Sequence, residues 1–322
     1  MSLSFYKQFS DWVTASVPFV FLIDFEQKNP LIYTFEDAAN EGLYFHVKGL
    51  TNAPKRSNSP KPIFEEVTPV SKEIYKKAFQ TVKHQIGHGN SFLLNLTFPS
   101  LVKTQHDLLD FFYACNAPYK LYKKGAFVVF SPECFIKIEN DVLSTYPMKG
   151  TIDARIPNAK NLLKNNLKEQ YEHNTIVDLL RNDLSQVAKK VRLNRFRYLD
   201  NIRTSKGPIY QSSSEIQGLL PSNWKQTSGE IIKKLLPAGS VSGAPKNKTM
   251  ELIQSVELDE RGYYTGVFGV FDGSRLESGV NIRFLEQREG NYYYRSGGGI
   301  THLSTLEEEY HELINKIYVP IV

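Results

Sequence analysis

Residues 146–151 read YPMKGT and place Lys149 between an apolar residue and a glycine, directly after a strand-like run. A surface lysine needs no such frame, whereas a lysine meant to react would benefit from one. Position alone leaves a simple turn residue open. Two carboxylate patterns accompany it. In LKEQYEHNTIVDLLRNDL, Glu169 and Glu172 lie three apart and share one helix face. In STLEEEYHELINKI, Ser304 and Glu307 form a capping box that fixes a helix start. Counted from there, Leu306, Tyr310, Leu313 and Ile317 make an apolar stripe, with Glu309, Glu312 and Lys316 together on its flank. Glu–Lys pairs four apart commonly decorate a solvent-facing helix. Two helices that each present a glutamate pair could instead hold Mg²⁺, which takes a few carboxylates, water and an anionic substrate. Spacing leaves both readings open.

Two glycine-rich stretches come next. PAGSVSGAPKNKT (237–249) lacks the ending of a phosphate loop, and RSGGGITH (295–302) lacks the dinucleotide-binding spacing. Both precede helices, so their N–H groups could receive an anion, a carboxylate as readily as a phosphate. A tight turn that requires glycine is the plain alternative. Arg283, in NIRFLE, is either the outward residue of an alternating strand or a carboxylate clamp. His84 and His88 flank a helix end, where capping is the expected role, and no zinc spacing of Cys and His exists. Cys115 and Cys134 are expected in the core; two cysteines make no disulfide framework, and a reducing, cytoplasmic setting fits. Neither sits in a glycine-rich elbow, so the chain is not expected to hydrolyse glutamine.

These residues need a scaffold of ordinary size. The 322 residues, 41% hydrophobic and 23% charged, allow one large domain or two smaller ones. No apolar run approaches the roughly 20 residues of a membrane helix, and MSLSFYKQFSDW is too polar for a secretory signal. The net charge of +5 suits an anionic ligand. The basic run KKVRLNRFR (189–197) carries Val191, Leu193, Phe196 and then Tyr198 in the alternation of an amphipathic strand, so nucleic acid is not expected. A Pro/Ser/Lys-rich stretch, TNAPKRSNSPKP (51–62), reads as a loop. A helix from Ser71 presents Ile74, Ala78, Val82 and Ile86 on one face, and a second opens with a Thr104–Asp107 cap. One long helical region covers 159–188, and further helices start near Ser228, Ser242 and Ser304. Strands and helices do not alternate, and three consecutive strands near the end favour α+β with antiparallel pairing.

In order, SPECF (131–135), PMKGT (147–151), EHNTIVDLLRNDL (172–184), PAGSVSGAPK (237–246), RGYYTGVFGVFD (261–272), NIRFL (281–285), SGGGI (296–300) and EEEYHELINK (307–316) resemble the chorismate-utilising enzymes. That family includes anthranilate synthase component I and the isochorismate and salicylate synthases. The resemblance covers roughly residues 70–320, with residues 1–62 as a short N-terminal part of one domain over 1–322. It implies one α+β domain whose antiparallel sheets pack face to face with helices outside and the site in the cleft between. It implies Glu172 and Glu312 as Mg²⁺ ligands, with Glu169 and Glu309 close behind. The cation, with Gly298, Gly299 and Lys316, would hold the ring carboxylate of chorismate. Tyr264 and Arg283 would hold the enolpyruvyl carboxylate, and Ser242 and Gly243 would line the loop over the ring. Lys149 matches the lysine-bearing branch, the component I chains of aminodeoxychorismate synthase, where other branches carry a small residue. There the lysine adds to the ring, Glu133 in SPECF acts as general acid, and ammonia replaces the 4-hydroxyl. Lys149 would need a lowered pKa and Glu133 a raised one.

The implied ammonia source is a separate glutamine amidotransferase (component II); a homo-oligomer is compatible with the sequence. Gln211 stands where the family often has histidine, and Leu93 where isochorismate-forming enzymes carry a lysine base. The short N-terminal part implies no tryptophan feedback. An anthranilate synthase that carries lysine and a catalytically silent chorismate-binding protein are the alternatives.

Overall fold

The computed structural model describes residues 2–56, 60–204 and 207–321, so residues 57–59 of the loop at 51–62 lie outside the described residues. The chain opens with α1 (Ser2–Thr14), β1 (Phe19–Ile23), β2 (Leu31–Tyr33), α2 (Phe35–Asn40), β3 (Leu43–Val47), β4 (Leu50–Thr51), β5 (Glu66–Thr68) and α3 (Lys72–Gly87). It continues through β6 (Leu93–Lys103), α4 (Leu108–Ala114), β7 (Tyr119–Lys123), β8 (Phe127–Ser131), β9 (Cys134–Glu139), β10 (Val142–Thr145), β11 (Met148–Asp153), α5 (Ala159–Asn165) and α6 (Leu167–Ser185). The last part holds β12 (Lys189–Thr204), β13 (Gly207–Leu219), α7 (Ser228–Leu235), β14 (Gly243–Ala244), α8 (Lys246–Val256), β15 (Val267–Phe271), β16 (Leu276–Val280), β17 (Phe284–Arg288), β18 (Asn291–Ile300) and α9 (Leu306–Asn315).

The strands form two antiparallel sheets. The first runs β11-β13-β10-β9-β16-β15-β1-β2 with β12 also on β13; the second runs β14-β6-β18-β17-β8-β7-β3-β4 with β5 also on β6. Central strands are apolar on both faces because each face has a layer to cover it. In β1, Val20 and Leu22 meet Phe45, Leu121, Val129 and Phe284 of the second sheet. The alternate residues Phe19, Phe21 and Ile23 pack on Phe5, Phe9 and Val13 of α1 and Ile231 of α7. On the far side of the second sheet, Leu94, Leu96 and Phe98 pack on Tyr75 and Phe79 of α3 and Leu313 of α9. The architecture is therefore α+β, two sheets face to face with helices outside.

Several local expectations are corrected. The N-terminal stretch, polar in composition, hides an amphipathic helix with Phe5, Tyr6, Phe9 and Val13 buried. Ser71 does cap α3, accepting from the Ile74 N–H, but its buried face is Tyr75, Ala78, Phe79 and Val82, while Ile74 is exposed. Thr104 does not cap α4; Asp107 does, accepting from the Asp110 N–H. The region 159–188 breaks between Asn165 and Leu167, where Asn166 is extended and caps α6 through the Glu169 N–H. The helix expected at Ser242 starts at Lys246, since Gly243 and Ala244 pair with β6. The final helix is capped by Thr305, which accepts from the Glu308 N–H, so the capping box lies one residue later than Ser304–Glu307. His88 caps the end of α3 as expected, its Nδ1 2.8 Å from the His84 carbonyl oxygen.

Candidate active site

The frame around Lys149 is a β-bulge. Met148 pairs with Ser213 and Thr151 with Gln211, so Lys149 and Gly150 together oppose a single residue of β13. A bulge re-aims a side chain out of the regular alternation. Gly150 adopts φ +81°, and a methyl group there would stand 2.9 Å from Glu169 Oε2. Only glycine meets both demands, and it lets α6 approach the lysine strand. His173, buried beside Glu172 on α6, holds the same strand: its Nε2 lies 2.6 Å from Ser214 Oγ, and the Ser214 N–H donates to Pro147 O at 2.9 Å. Burial first, then the Arg197 and Lys149 charges, hold the His173 imidazole neutral with a pKa of about 4.

The two carboxylate helices meet at β18. Its residues Asn291–Arg295 lie between β17 and β6, but Ser296–Ile300 pair with β6 alone. The stretch RSGGGITH, expected as a turn before a helix, is thus mostly strand, with an edge that opens beyond the end of β17. A methyl group at Gly298 would stand 3.0 Å from Glu312 Oε1 and 3.2 Å from Glu309 Oε2; one at Gly299 would stand 3.6 Å from Lys149 Nζ and 3.8 Å from Glu172 Oε2. The glycines let both acid pairs close on the strand.

Three ammonium groups stand among these acids. Lys149 lies 3.8 Å from Glu172, Lys168 donates to Glu309 Oε1 at 3.0 Å, and Lys316 donates to Glu312 Oε1 at 2.6 Å and to Gly297 O at 2.9 Å. Burial, then the like charges of Glu169 and Glu312, push Glu172 up to about 7 against the pull of Lys149. Burial likewise raises Glu169. Burial would raise Glu312 as well, but Lys316, Lys149 and Lys168 outweigh it and hold it below the usual range. For Lys149, burial alone would lower the pKa; the charges of Glu172, Glu312, Glu133 and Glu169 outweigh it, so the amine is raised. The expected depression is therefore corrected: four carboxylates hold the ammonium form.

Among the described residues, no three His, Cys, Asp or Glu side chains form a set that could hold a metal ion as they stand. The donor chemistry nevertheless fits a hard cation. All ligands on offer are oxygens, Glu169 and Glu172 are raised by burial that the nearby lysines do not offset, and Glu309 Oε2 is buried without a hydrogen-bond partner among the described residues. Mg²⁺ needs only one or two carboxylates beside water and substrate oxygens.

Glu133 and Arg283 sit where the chain passes from one sheet to the other. Pro132 and Glu133 join β8 to β9, and the Val280 N–H donates to Glu133 O at 3.1 Å. Burial raises Glu133, as expected, against a hydrogen bond to Ser240 and the charges of Lys149, Lys316 and Arg283. Arg283 precedes β17 with φ +54°, so it is not the strand residue that the alternation suggested. Its guanidinium lies 4.8 Å from the Tyr318 ring centroid, and its Nε is buried with no hydrogen-bond partner among the described residues. That leaves a donor for a carboxylate. Tyr264 is buried, and the Arg283 charge lowers its hydroxyl pKa against the larger effect of burial, which raises it.

Ser242 and Gly243 are not brought to the acids by their own side-chain contacts. The Ser242 hydroxyl donates to Ala238 O at 2.9 Å, and Gly243 pairs with Leu94. Their neighbour Ser240 is the residue of that loop that meets Glu133. Asp183, buried, holds the same loop through Lys246 at 2.7 Å. Sequence reasoning missed Ser240, Lys168 and His173 as site residues, although each lies in or beside a quoted motif.

The family described as chorismate binding enzyme matches residues 22–321. The chain belongs to that family. It is 50% identical to an uncharacterized PabA-like protein of Pasteurella multocida over 100% of each chain. It is 29% identical to aminodeoxychorismate synthase component 1 of Bacillus subtilis over 84% of this chain, spanning 60% of that relative. The anthranilate synthase component I structure from Streptococcus pneumoniae superposes with a TM-score of 0.68 at 25% identity, covering 82% of this chain and 61% of that one.

Proposed function

We propose that this chorismate-binding enzyme is an aminodeoxychorismate synthase component I, which converts chorismate and ammonia to 4-amino-4-deoxychorismate for p-aminobenzoate and folate synthesis. The observation that carries the reading is Lys149, aimed by its bulge into the acid cluster and set close to Gly299 and Glu172. A small residue there would offer no amine.

In this reading, Glu172 and Glu312 would hold Mg²⁺, with Glu169 and Glu309 behind them, and the cation would supply charge for the ring carboxylate, which Gly298, Gly299 and Lys316 position. A bound cation would offset those carboxylate charges, and burial would then favour the free Lys149 amine. Arg283 and Tyr264 orient the enolpyruvyl carboxylate, while the Ser242–Gly243 loop covers the ring and Ser240 orients Glu133. The Lys149 nitrogen bonds to C2 of the ring as both ring double bonds shift and the C4 hydroxyl leaves. Glu133, its pKa raised by burial, gives its proton to that hydroxyl, which departs as water. Ammonia then bonds to C4, both double bonds shift back, and the lysine–C2 bond breaks. The ammonia nitrogen surrenders one proton, which restores Glu133. A glutamine amidotransferase subunit supplies the ammonia, or ammonium in solution does.

The test is product identification. Chorismate, Mg²⁺ and ammonium with the purified chain should give 4-amino-4-deoxychorismate by chromatography; anthranilate or isochorismate instead would overturn the reading. Anthranilate synthesis is the second reading, favoured by the 25% identity to the Streptococcus pneumoniae structure. Water activation finds little support, because Leu93 is buried against Gly299 and offers no base.

A further inference from the structure

We infer that Lys83 is a positioning residue for the acid cluster, acting through the turn that joins β18 to α9. Lys83 lies on α3 and reaches no carboxylate of the site. Its ammonium donates to three carbonyl oxygens of that one turn: Thr301 at 3.2 Å, His302 at 2.7 Å and Ser304 at 3.0 Å. A lysine ammonium has three donors, and here all three converge on four consecutive residues, as a bound cation would be surrounded.

The turn itself is tight but lightly held. Ser304 Oγ accepts from the Thr301 N–H at 3.1 Å, and Thr301 Oγ1 accepts from the Leu303 N–H at 3.3 Å. On another side the His302 ring meets the Tyr171 ring edge-on, with centroids 4.6 Å apart. Tyr171 is the residue before Glu172. The turn therefore touches α3 through Lys83 and α6 through Tyr171, and it runs directly into α9. Gly298 and Gly299 precede it, while Glu309, Glu312 and Lys316 follow it. Its placement sets how far the α9 acids stand from the α6 acids. A two-helix oxygen site is sensitive to that distance, since an ångström of misplacement loses geometry that binding depends on.

Thr301 O also accepts from the Ser304 N–H at 3.2 Å, so removing the ammonium strips the His302 and Ser304 carbonyls of the donor seen here, and they relax apart by taking up water. The α9 start moves with them. Leu306, Tyr310 and Leu313 still pack on α3 and β6, so the fold persists while the acid pair shifts.

The inference rests on the proposed role of the cluster as a site for a cation and the ring carboxylate. Its test uses the full chain and Mg²⁺ alone, titrated by calorimetry, beside steady-state kinetics with chorismate. Lys83→Met should weaken Mg²⁺ binding by about tenfold, the loss typical of outer residues that orient ligands. It should raise KM for chorismate more than it lowers kcat. Lys83→Arg, which keeps the charge and several donors, should recover most of both. A Lys83→Met protein with a lower Tm but unchanged Mg²⁺ affinity and KM would overturn the inference and leave Lys83 a purely structural residue. If Lys83→Met does not fold, Lys83→Gln carries the same comparison. A wild-type chain that binds no Mg²⁺ at all would overturn the metal reading itself, a result distinct from an unchanged Lys83 variant.

Discussion

The two acid-bearing helices keep their charge in different ways. On α9 the two site glutamates each pair with an ammonium: Glu309 takes Lys168, which also lies 4.0 Å from Glu308, and Glu312 takes Lys316. On α6, Glu169 and Glu172 share Lys149, which is 3.8 Å from Glu172 and beyond a strong ion pair. Glu312 is accordingly held below the usual carboxylate range, while burial carries Glu172 up to about 7. One half of the cleft is electrostatically settled before any ligand arrives. The other half, which faces Lys149 of β11, is short of positive charge. Such an unsettled half is what a cation-dependent site needs, because charge that is already compensated gains little from binding.

The sharpest way to break this comparison is at its centre. Lys149→Ala removes the amine and also the cation that bears most on both α6 acids. Amination at C4 should fall by at least about 10³-fold in kcat, the scale at which loss of a covalent nucleophile is felt. Mg²⁺ affinity, read separately by calorimetry, should hold or rise, because Glu172 loses its competing ammonium. Retained amination in Lys149→Ala would refute the covalent role and favour the anthranilate reading.

A second pair of variants tests the two halves directly. Glu172→Gln and Glu312→Gln should both lose the Mg²⁺ response. Their metal-free proteins should nevertheless differ. At pH 8, Glu172→Gln relieves a buried charge and should leave Tm unchanged or raise it by a few degrees, on the order of 1–3 kcal/mol. Glu312→Gln leaves Lys316 without its partner and should lower Tm. Equal effects would remove the asymmetry on which the comparison rests.

Much of this site was legible in the sequence, and the reason lies in short-range geometry. Glu169 with Glu172, and Glu309 with Glu312 and Lys316, fall on common faces because helix periodicity fixes them locally. The oddity of Lys149 was visible too, but its cause was not: the bulge depends on the register between β11 and β13, residues more than fifty apart in the chain. For the same reason Glu133 and Arg283 showed their residue types but not their placement at sheet crossings. The α1 helix escaped notice because Phe5, Phe9 and Val13 are spread among polar residues and are buried only by β1 and α7. The direction of the Lys149 shift was misjudged because it depends on how many carboxylates surround one amine, a count that only the folded chain sets.

The smallest expected effect concerns pH, and its sign separates the two helices. Glu172 is raised from its ordinary value to about 7 in the metal-free fold. Its contribution to stability is therefore fully present below the unfolded value near 4.5 and is lost as pH rises through about 7. A cation binds the ionised carboxylate, so below pH 7 it must displace a proton. Mg²⁺ affinity should then fall towards tenfold for each pH unit between about 7 and 5.5, since one unit corresponds to about 1.36 kcal/mol. The Mg²⁺-induced rise in Tm should be large at pH 8 and small at pH 5.5. Glu312, held low by its lysines, stays ionised across that window and adds no slope. A conservative Glu169→Gln change, which removes one repelling charge, should bring the Glu172 pKa down and move the midpoint of the Mg²⁺ profile to lower pH. A profile that is flat in the wild type, or a midpoint unmoved in Glu169→Gln, would show that the α6 acids are not the half of the cleft that waits for the cation.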